Sequence, residues 1–164
     1  MKPGDHPEFF RFPAPEGRSR ESSIVLTRDG RFFHDGAPVE HAGMRKAFAS
    51  WLRRHPDDDR PILSNGYDWT YLTVEGAERF VQSARSRAGR PELTLLDGSE
   101  LPLDPSQLTC DAEGKLWLRL PEGEQACFTP AAQLELAPWL REQDGAIGLE
   151  IEGLFSPIAG AASP

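Results

Sequence analysis

Ile24-Val25-Leu26-Thr27-Arg28-Asp29-Gly30-Arg31-Phe32-Phe33-His34 reads as two short strands folded back around a tight turn. Asp and Gly tolerate positive φ, so Asp29-Gly30 between β-prone runs predicts a hairpin. Asp35-Gly36 predicts a second turn directly after it. Beyond Pro38 and Val39, the residues Met44, Ala47, Phe48, Trp51 and Leu52 fall at i, i+3, i+4, i+7 and i+8, a spacing that gathers them on one face of a helix. The predicted helix runs from His41 to Arg54, with Phe48, Trp51 and Leu52 buried against a sheet. Glu40 near its start and Arg53, Arg54 and His55 at its end oppose the partial charges of the helix ends, and Pro56 helps to stop it.

Outward from this block, Ile62 and Leu63 begin another strand, and Tyr67 to Val74 alternates bulky residues on both faces. Gly76 to Arg87 is open to two readings, since Ala77, Phe80, Val81 and Ala84 suit a helix while the β-rich context suits a strand running into a turn at Ala88-Gly89. Glu92 to Leu96, the turn Asp97-Gly98 and the run to Leu103 predict a second hairpin. Leu108 to Thr129 reads as a meander, followed by a short helix capped by Thr129, started by Pro130 and ended by Pro138. A last strand is expected over Ala146 to Leu154. The run Leu26-Thr27-Arg28-Asp29-Gly30-Arg31-Phe32 is echoed by Leu108-Thr109-Cys110-Asp111 and Gly114-Lys115-Leu116, each followed by a turn, a short strand and a helix. The fold class this predicts is α+β, mostly β, as two small β-rich lobes on a similar strand-turn-strand-helix plan. Residues 1–23 form an N-terminal arm whose Phe9, Phe10 and Phe12 could dock on the body, 24–90 the first lobe, 91–158 the second, and 159–164 a flexible tail.

Composition excludes several classes of function. The 164 residues carry a net charge of -8 and a pI near 5.0, a field that repels phosphate backbones and makes nucleic acid a poor partner. No apolar run approaches the roughly 20 residues of a membrane span, and none follows Met1-Lys2 as a secretory signal would require, so a cytoplasmic location is expected. In that reducing setting Cys110 and Cys127 are read as thiols rather than as a disulfide. His6, His34, His41 and His55 show no zinc-ligand spacing, so no metal is expected. Asp57-Asp58-Asp59 lacks the alternating ligands and distal Glu of a calcium loop and reads as a solvated charged loop. There is no phosphate-binding Gly-rich loop, nucleophile elbow or helical His-Glu metal motif, and hence no cofactor or catalytic residue to name. Cys127 beside His34 or His41 could be imagined as nucleophile and base, but nothing local lowers its pKa, and a buried strand thiol is the plainer reading.

Arg28-Asp29-Gly30-Arg31-Phe32-Phe33-His34-Asp35-Gly36-Ala37-Pro38-Val39, with Phe48-Ala49-Ser50-Trp51-Leu52-Arg53-Arg54, resembles the opening signature of the uncharacterised bacterial family called domain of unknown function 1285. Val74-Glu75, the run Leu96 to Pro105 and the strand Leu116 to Leu120 before a helix are similar to its later pattern. The resemblance spans roughly Ile24 to Pro157. It implies two β-rich lobes, each with a helix, one of them similar to a pleckstrin-homology-like barrel, a strand over Arg79 to Arg87, and a suggested role in signalling without enzymatic activity. Ser64-Asn65-Gly66 and Gly76 depart from the family's pattern near the region between the lobes.

The sharpest candidate site joins Trp69, Tyr71 and Trp117 as an exposed aromatic face with Arg53 and Arg54, which would supply charge for a carboxylate or phosphate on a partner. The competing reading is that strand aromatics belong to the core and that basic residues at a helix end merely match its dipole. The function expected is a non-enzymatic binding or adaptor module for a protein or small-molecule ligand, with Arg53, Arg54, Trp69 and Tyr71 as its contact residues. The alternatives are a small-molecule-binding protein or enzyme with its site in the cleft between lobes, and a homo-oligomer pairing through strand edges or the Phe arm.

Overall fold

The computed structural model describes residues Met1 to Ala162. The chain is mostly β, with three open sheets and two helices among the described residues, and no helix there is long and apolar enough to cross a membrane. It divides into two compact units, Met1–Glu78 and the residues from Arg79 onward. The boundary precedes the strand Arg79–Arg87 rather than following the Ala88-Gly89 turn. That strand pairs with the second unit alone, so it belongs there with its hairpin.

In the first unit, β1 (Val25–Leu26), β2 (Phe32–His34), β3 (Ala37–Pro38) and, further on, β7 (Thr73–Val74) make a sheet in the order β3-β2-β1-β7, with β1 and β7 parallel. Between them lie α1 (Ala42–Trp51), β4 (Leu52–Arg54), β5 (Pro61–Ser64) and β6 (Trp69–Tyr71), the three strands forming an antiparallel sheet β4-β5-β6. The Thr27 to Arg31 turn closes as expected, Thr27 N–H donating to the Arg31 carbonyl at 2.9 Å and Gly30 N–H to the Thr27 carbonyl at 3.1 Å. Leu26, Phe32, Phe48, Leu52 and Leu63 are buried, and the Phe32 and Phe48 rings meet edge to face at 5.5 Å.

The helix is shorter than its periodicity suggests. It begins after His41, whose Nδ1 accepts the Met44 N–H at 3.2 Å, and stops at Trp51. Leu52 turns extended, φ -68 and ψ 125, and Leu52, Arg53 and Arg54 pair with Leu63, Ile62 and Pro61. Pro56 disfavours helical backbone at His55, and the ladder to β5 offers those residues backbone partners that a fraying helix end lacks. Arg53 and Arg54 therefore stand on a strand and not at a helix C-terminus. Trp51 is half-buried rather than buried, and the predicted Tyr67 to Val74 strand is two short ones, β6 and β7, split at the buried Leu72.

The N-terminal residues are part of this unit. Two 3₁₀ turns, Pro3–Asp5 and Pro7–Arg11, carry Phe10 to 2 % exposure in a cluster with Ile62 and Trp69, while Phe12 stays exposed.

The second unit is one nine-stranded sheet. Its strands are β8 (Arg79–Arg87), β9 (Arg90–Leu95), β10 (Glu100–Pro102), β11 (Leu108–Cys110), β12 (Leu116–Arg119), β13 (Gln125–Phe128), β14 (Leu140–Gln143), β15 (Ala146–Ile151) and β16 (Leu154–Ala162). The order β10-β9-β8-β13-β12-β11-β16-β15-β14 leaves β10 and β14 as edges, so the pleckstrin-homology-like barrel implied by the resemblance is not closed among the described residues. Helix α2 (Pro130–Glu135) starts at Thr129, whose Oγ1 accepts the Ala132 N–H, and packs beside β8 over a core that includes Val81, Leu93, Phe128 and Leu136.

The echo between the units has a structural counterpart at Thr27 and Asp111. Asp111 N–H donates to the Lys115 carbonyl and Gly114 N–H to the Asp111 carbonyl, repeating the Thr27 to Arg31 geometry, and the Thr27 and Asp111 side chains each accept the N–H four residues on. The single last strand expected over Ala146 to Leu154 is instead the hairpin β15-β16, turned at Glu152-Gly153 with φ of 53° and 79°. Ala159 to Ala162 lie in β16 rather than in a tail; Ser163 and Pro164 are outside the described residues.

Candidate functional site

The sheet β4-β5-β6 sets out the candidate residues by register. Arg53 is opposite Ile62, which is opposite Tyr71, and Ser64 is opposite Trp69. Directly paired residues of an antiparallel sheet share a face, so Arg53, Ile62, Tyr71, Trp69 and Ser64 project from one side. Phe10 covers that side. Its ring lies 5.9 Å from Trp69 and 6.0 Å from His55, and His55 stands 5.0 Å from Trp69 and 5.8 Å from Tyr71.

Trp69 is consequently buried at 6 % exposure, and the exposed aromatic face expected around it is an interior one. The sequence shows a Phe-rich arm and an aromatic strand but not that the arm lies on the strand. Arg20 closes the remaining side of Trp69 with its guanidinium 4.5 Å from the ring, donating to the Trp69 carbonyl at 2.9 Å and to Asp68 at 2.8 Å. Trp117 is in the second unit, half-buried on β12, its Nε1–H donating to Asp111 at 2.9 Å.

The other candidates separate by what they already hold. Tyr71 donates its hydroxyl to Asp58 at 2.6 Å and lies under Arg60, 3.7 Å away, which is itself clamped on both oxygens of Glu21. The Asp58 carboxyl is held below the usual carboxylate range chiefly by that hydroxyl, and Tyr71 is raised by burial and then by Asp58. Arg54 pairs with Glu78 and Asp59. Asp57 takes Arg11 through two nitrogens, at 2.9 and 3.1 Å. The acidic triplet is exposed, as a solvated loop would be, and each carboxylate also holds a partner: Asp57 holds Arg11, Asp58 holds Tyr71 and Asp59 holds Arg54. His55, 7 % exposed, accepts the Asp57 N–H on Nδ1 at 3.1 Å and faces the Phe10 carbonyl with Nε2 at 3.1 Å. That pattern assigns the Nε2–H tautomer, which donates to the arm.

Arg53 is the exception. It is exposed, stacks on Phe10 at 4.6 Å and reaches the Gly4 carbonyl at 3.4 Å, and makes no ion pair among the described residues. It lines a polar pocket of about 410 Å³ together with Lys2, Ser50, Trp51, Ser64 and Asn65. The acceptors there are used internally. Asn65 Oδ1 takes the N–H groups of Tyr67 and Asp68, both at 2.8 Å, and Ser64 Oγ takes Gly66 N–H at 3.2 Å. Asp5, the pocket's one acid, accepts the Lys2 N–H at 2.8 Å. What the lining offers a ligand is mostly donors, the Arg53 guanidinium, the Lys2 ammonium, the Asn65 Nδ2 amide and the Ser64 hydroxyl, with the exposed Asp5 carboxyl group beside them.

The close crossing of two glycines fixes Lys2 at the rim. Gly4 N–H donates to the Gly66 carbonyl at 2.8 Å, and a Cβ on Gly4 would meet Gly66 Cα at 2.8 Å. Sequence reasoning missed Lys2 and Asn65, and the Ser64-Asn65-Gly66 departure from the family pattern counted there against a shared ligand site rather than toward this corner.

No family model matches the chain, and no curated protein matches it. Two solved structures share its fold. A DUF1285 family protein from Silicibacter pomeroyi DSS-3 is similar at 19 % identity over 92 % of this chain and 92 % of that one, with a TM-score of 0.56. A DUF1285 family protein from Shewanella baltica OS155 is similar at 19 % identity over 73 % of this chain and 94 % of that one, with a TM-score of 0.51. The chain thus has the fold of DUF1285 family proteins, the same family that its Arg28 to Val39 and Phe48 to Arg54 segments resemble.

Proposed function

We propose that the protein is a non-enzymatic binding module whose first unit takes an oxyanion, a carboxylate or phosphate group of its ligand, in the pocket beside Arg53. The observation that carries this reading is the unpaired, exposed Arg53, held in place by Phe10 and Gly4 while the neighbouring arginines are committed to acids. A guanidinium already positioned loses less freedom on binding than a mobile one, and its donors suit the paired oxygens of carboxylate or phosphate. The lining supports binding rather than turnover. Its Ser50 hydroxyl donates to the Ala47 carbonyl and its Ser64 accepts from Gly66, and neither serine hydrogen-bonds to a histidine or carboxylate among the described residues. A signalling role, implied by the family resemblance, fits a module that reads a phosphate or carboxylate, and the free thiol of Cys110 suits a cytoplasmic setting.

Calorimetric titration of the full chain with inorganic phosphate and with acetate, at low salt, tests it. Saturable heat with either ion in the wild type, lost in Arg53→Gln, supports the reading. Equal heats in both proteins, or none in the wild type, reject it.

A further inference from the structure

A second pocket lies wholly inside the second unit, where the β11-β12 turn, β16, β14 and β15 meet Gln133 of α2. It encloses about 410 Å³, within the size range of small-molecule sites. Leu116 and Ile158, 5 % and 2 % exposed, form its floor and belong to the core. Cys110, Leu140, Ile147 and Ala161 are half-buried around it.

The polar side chains of the lining are spent on the protein. Asp111 Oδ1 accepts the N–H groups of Glu113 and Lys115, both at 2.9 Å, and its Oδ2 accepts Trp117 Nε1–H at 2.9 Å. Gln133 accepts the Leu116 N–H at 3.2 Å and donates to the Gly114 carbonyl at 2.8 Å, and the Cys110 thiol points at the Asp111 carbonyl. Recognition there must come from the apolar surface. No aromatic ring lines it, so stacking plays no part and flexible hydrocarbon fits best. Asp111 is the lining's one ionisable acid, and the Trp117 and backbone donors hold its carboxyl below the usual range, so it is an anion at neutral pH. An anionic head group would meet repulsion at that rim.

We propose that this pocket binds a small aliphatic molecule, or the aliphatic end of a larger one, whose polar end is uncharged or cationic. The proposal is independent of the Arg53 pocket and stands if that reading fails.

Octan-1-ol, octan-1-amine and octanoate are the probes, added to the full chain while the methyl resonances of Ile147 and Ile158 are followed by NMR. Saturable shifts are expected with the alcohol and the amine, and weaker binding with octanoate. Ala161→Phe, which places a ring in the space, should abolish them if the variant keeps the wild-type spectrum elsewhere. Cys110 alkylation by iodoacetamide gives a readout that needs no variant. It is run at alkaline pH, because burial and then Asp111 push this thiol up. At about ten times the Kd of octan-1-ol the rate should fall about tenfold by mass action, with the more deeply buried Cys127 as the internal comparison. Shifts that fail to saturate, shifts that persist in folded Ala161→Phe, or an unchanged Cys110 rate overturn the site. Octanoate binding as tightly as octan-1-ol overturns its charge preference.

Discussion

The guanidinium of Arg53 lies 4.6 Å from the centre of the Phe10 ring, so the residue that charges the pocket is positioned by the residue that anchors the N-terminal segment. Phe10 is also core, at 2 % exposure beside Ile62 and Trp69. Phe10→Ala should lower the stability of the first unit by about 3–5 kcal/mol, the usual range for a buried Phe truncation, and weaken phosphate binding in whatever fraction stays folded. Urea unfolding followed by an N-terminal and a Trp69 reporter checks it; a loss under about 1 kcal/mol, within reach of a surface substitution, would show that the segment is only loosely laid on.

Tyr71 and Asp58 predict a pH signature. The hydroxyl donated by Tyr71 is the main cause of the lowered Asp58 pKa, and a carboxyl with a depressed folded-state pKa adds stability that is present above its unfolded pKa and lost as pH falls through the folded one. Tyr71→Phe removes that donor. The stability gap between the two proteins should be open at about pH 6 and should narrow by about pH 2.5, below the ordinary Asp value. A gap of constant size across that range would place the effect in packing instead.

The glycine crossing gives a third test. Gly66 has a φ of 89°, and a Cβ there would stand 2.5 Å from Lys2 Cδ. Gly66→Ala should cost about 1–2 kcal/mol for the left-handed backbone and also push Lys2 from the rim, lowering phosphate affinity. Gly17→Ala, at φ 77° with open space around it, carries the backbone cost alone. If both variants bind phosphate equally, Lys2 is no part of the site.

How far the sequence leads can be judged element by element. Asp29-Gly30 and Asp97-Gly98 sit where turn chemistry dictates and both close hairpins, pairing Leu26 with Phe32 and Thr94 with Glu100. The helix start was readable, but its end was not, because residues 52–54 satisfy a helical period and a strand ladder equally well, and their pairing with Pro61, Ile62 and Leu63 of β5, together with Pro56, decides between them. The β15-β16 hairpin was hidden for a different reason: Glu152 at positive φ breaks the preference for Asn or Asp. At the site, Arg53 was legible as a charge for a partner's carboxylate or phosphate, though expected at a helix end rather than on β4. The burial of Trp69 was not, since it depends on where a non-periodic arm comes to rest.

That unusual turn is itself testable. Glu152 holds a φ of 53° before Gly153, a conformation Asn adopts more readily. Glu152 also pairs with Arg90 at 3.1 Å, but both side chains are largely exposed, so little is lost with that contact. Glu152→Asn should stabilise the second unit by about 0.5 kcal/mol or more, seen as a higher urea midpoint. A lower midpoint would mean that the ion pair outweighs the turn.

The most direct measurement of the central claim is the NMR response of two side chains, Arg53 Nε–H and Asn65 Nδ2–H₂, to inorganic phosphate at low ionic strength. The account predicts that both shift together, saturate with one common Kd, weaken as salt screens the charges, and that the Asn65 response disappears in Arg53→Gln. Shifts that are absent, or an Asn65 response that survives unchanged in Arg53→Gln, would contradict it.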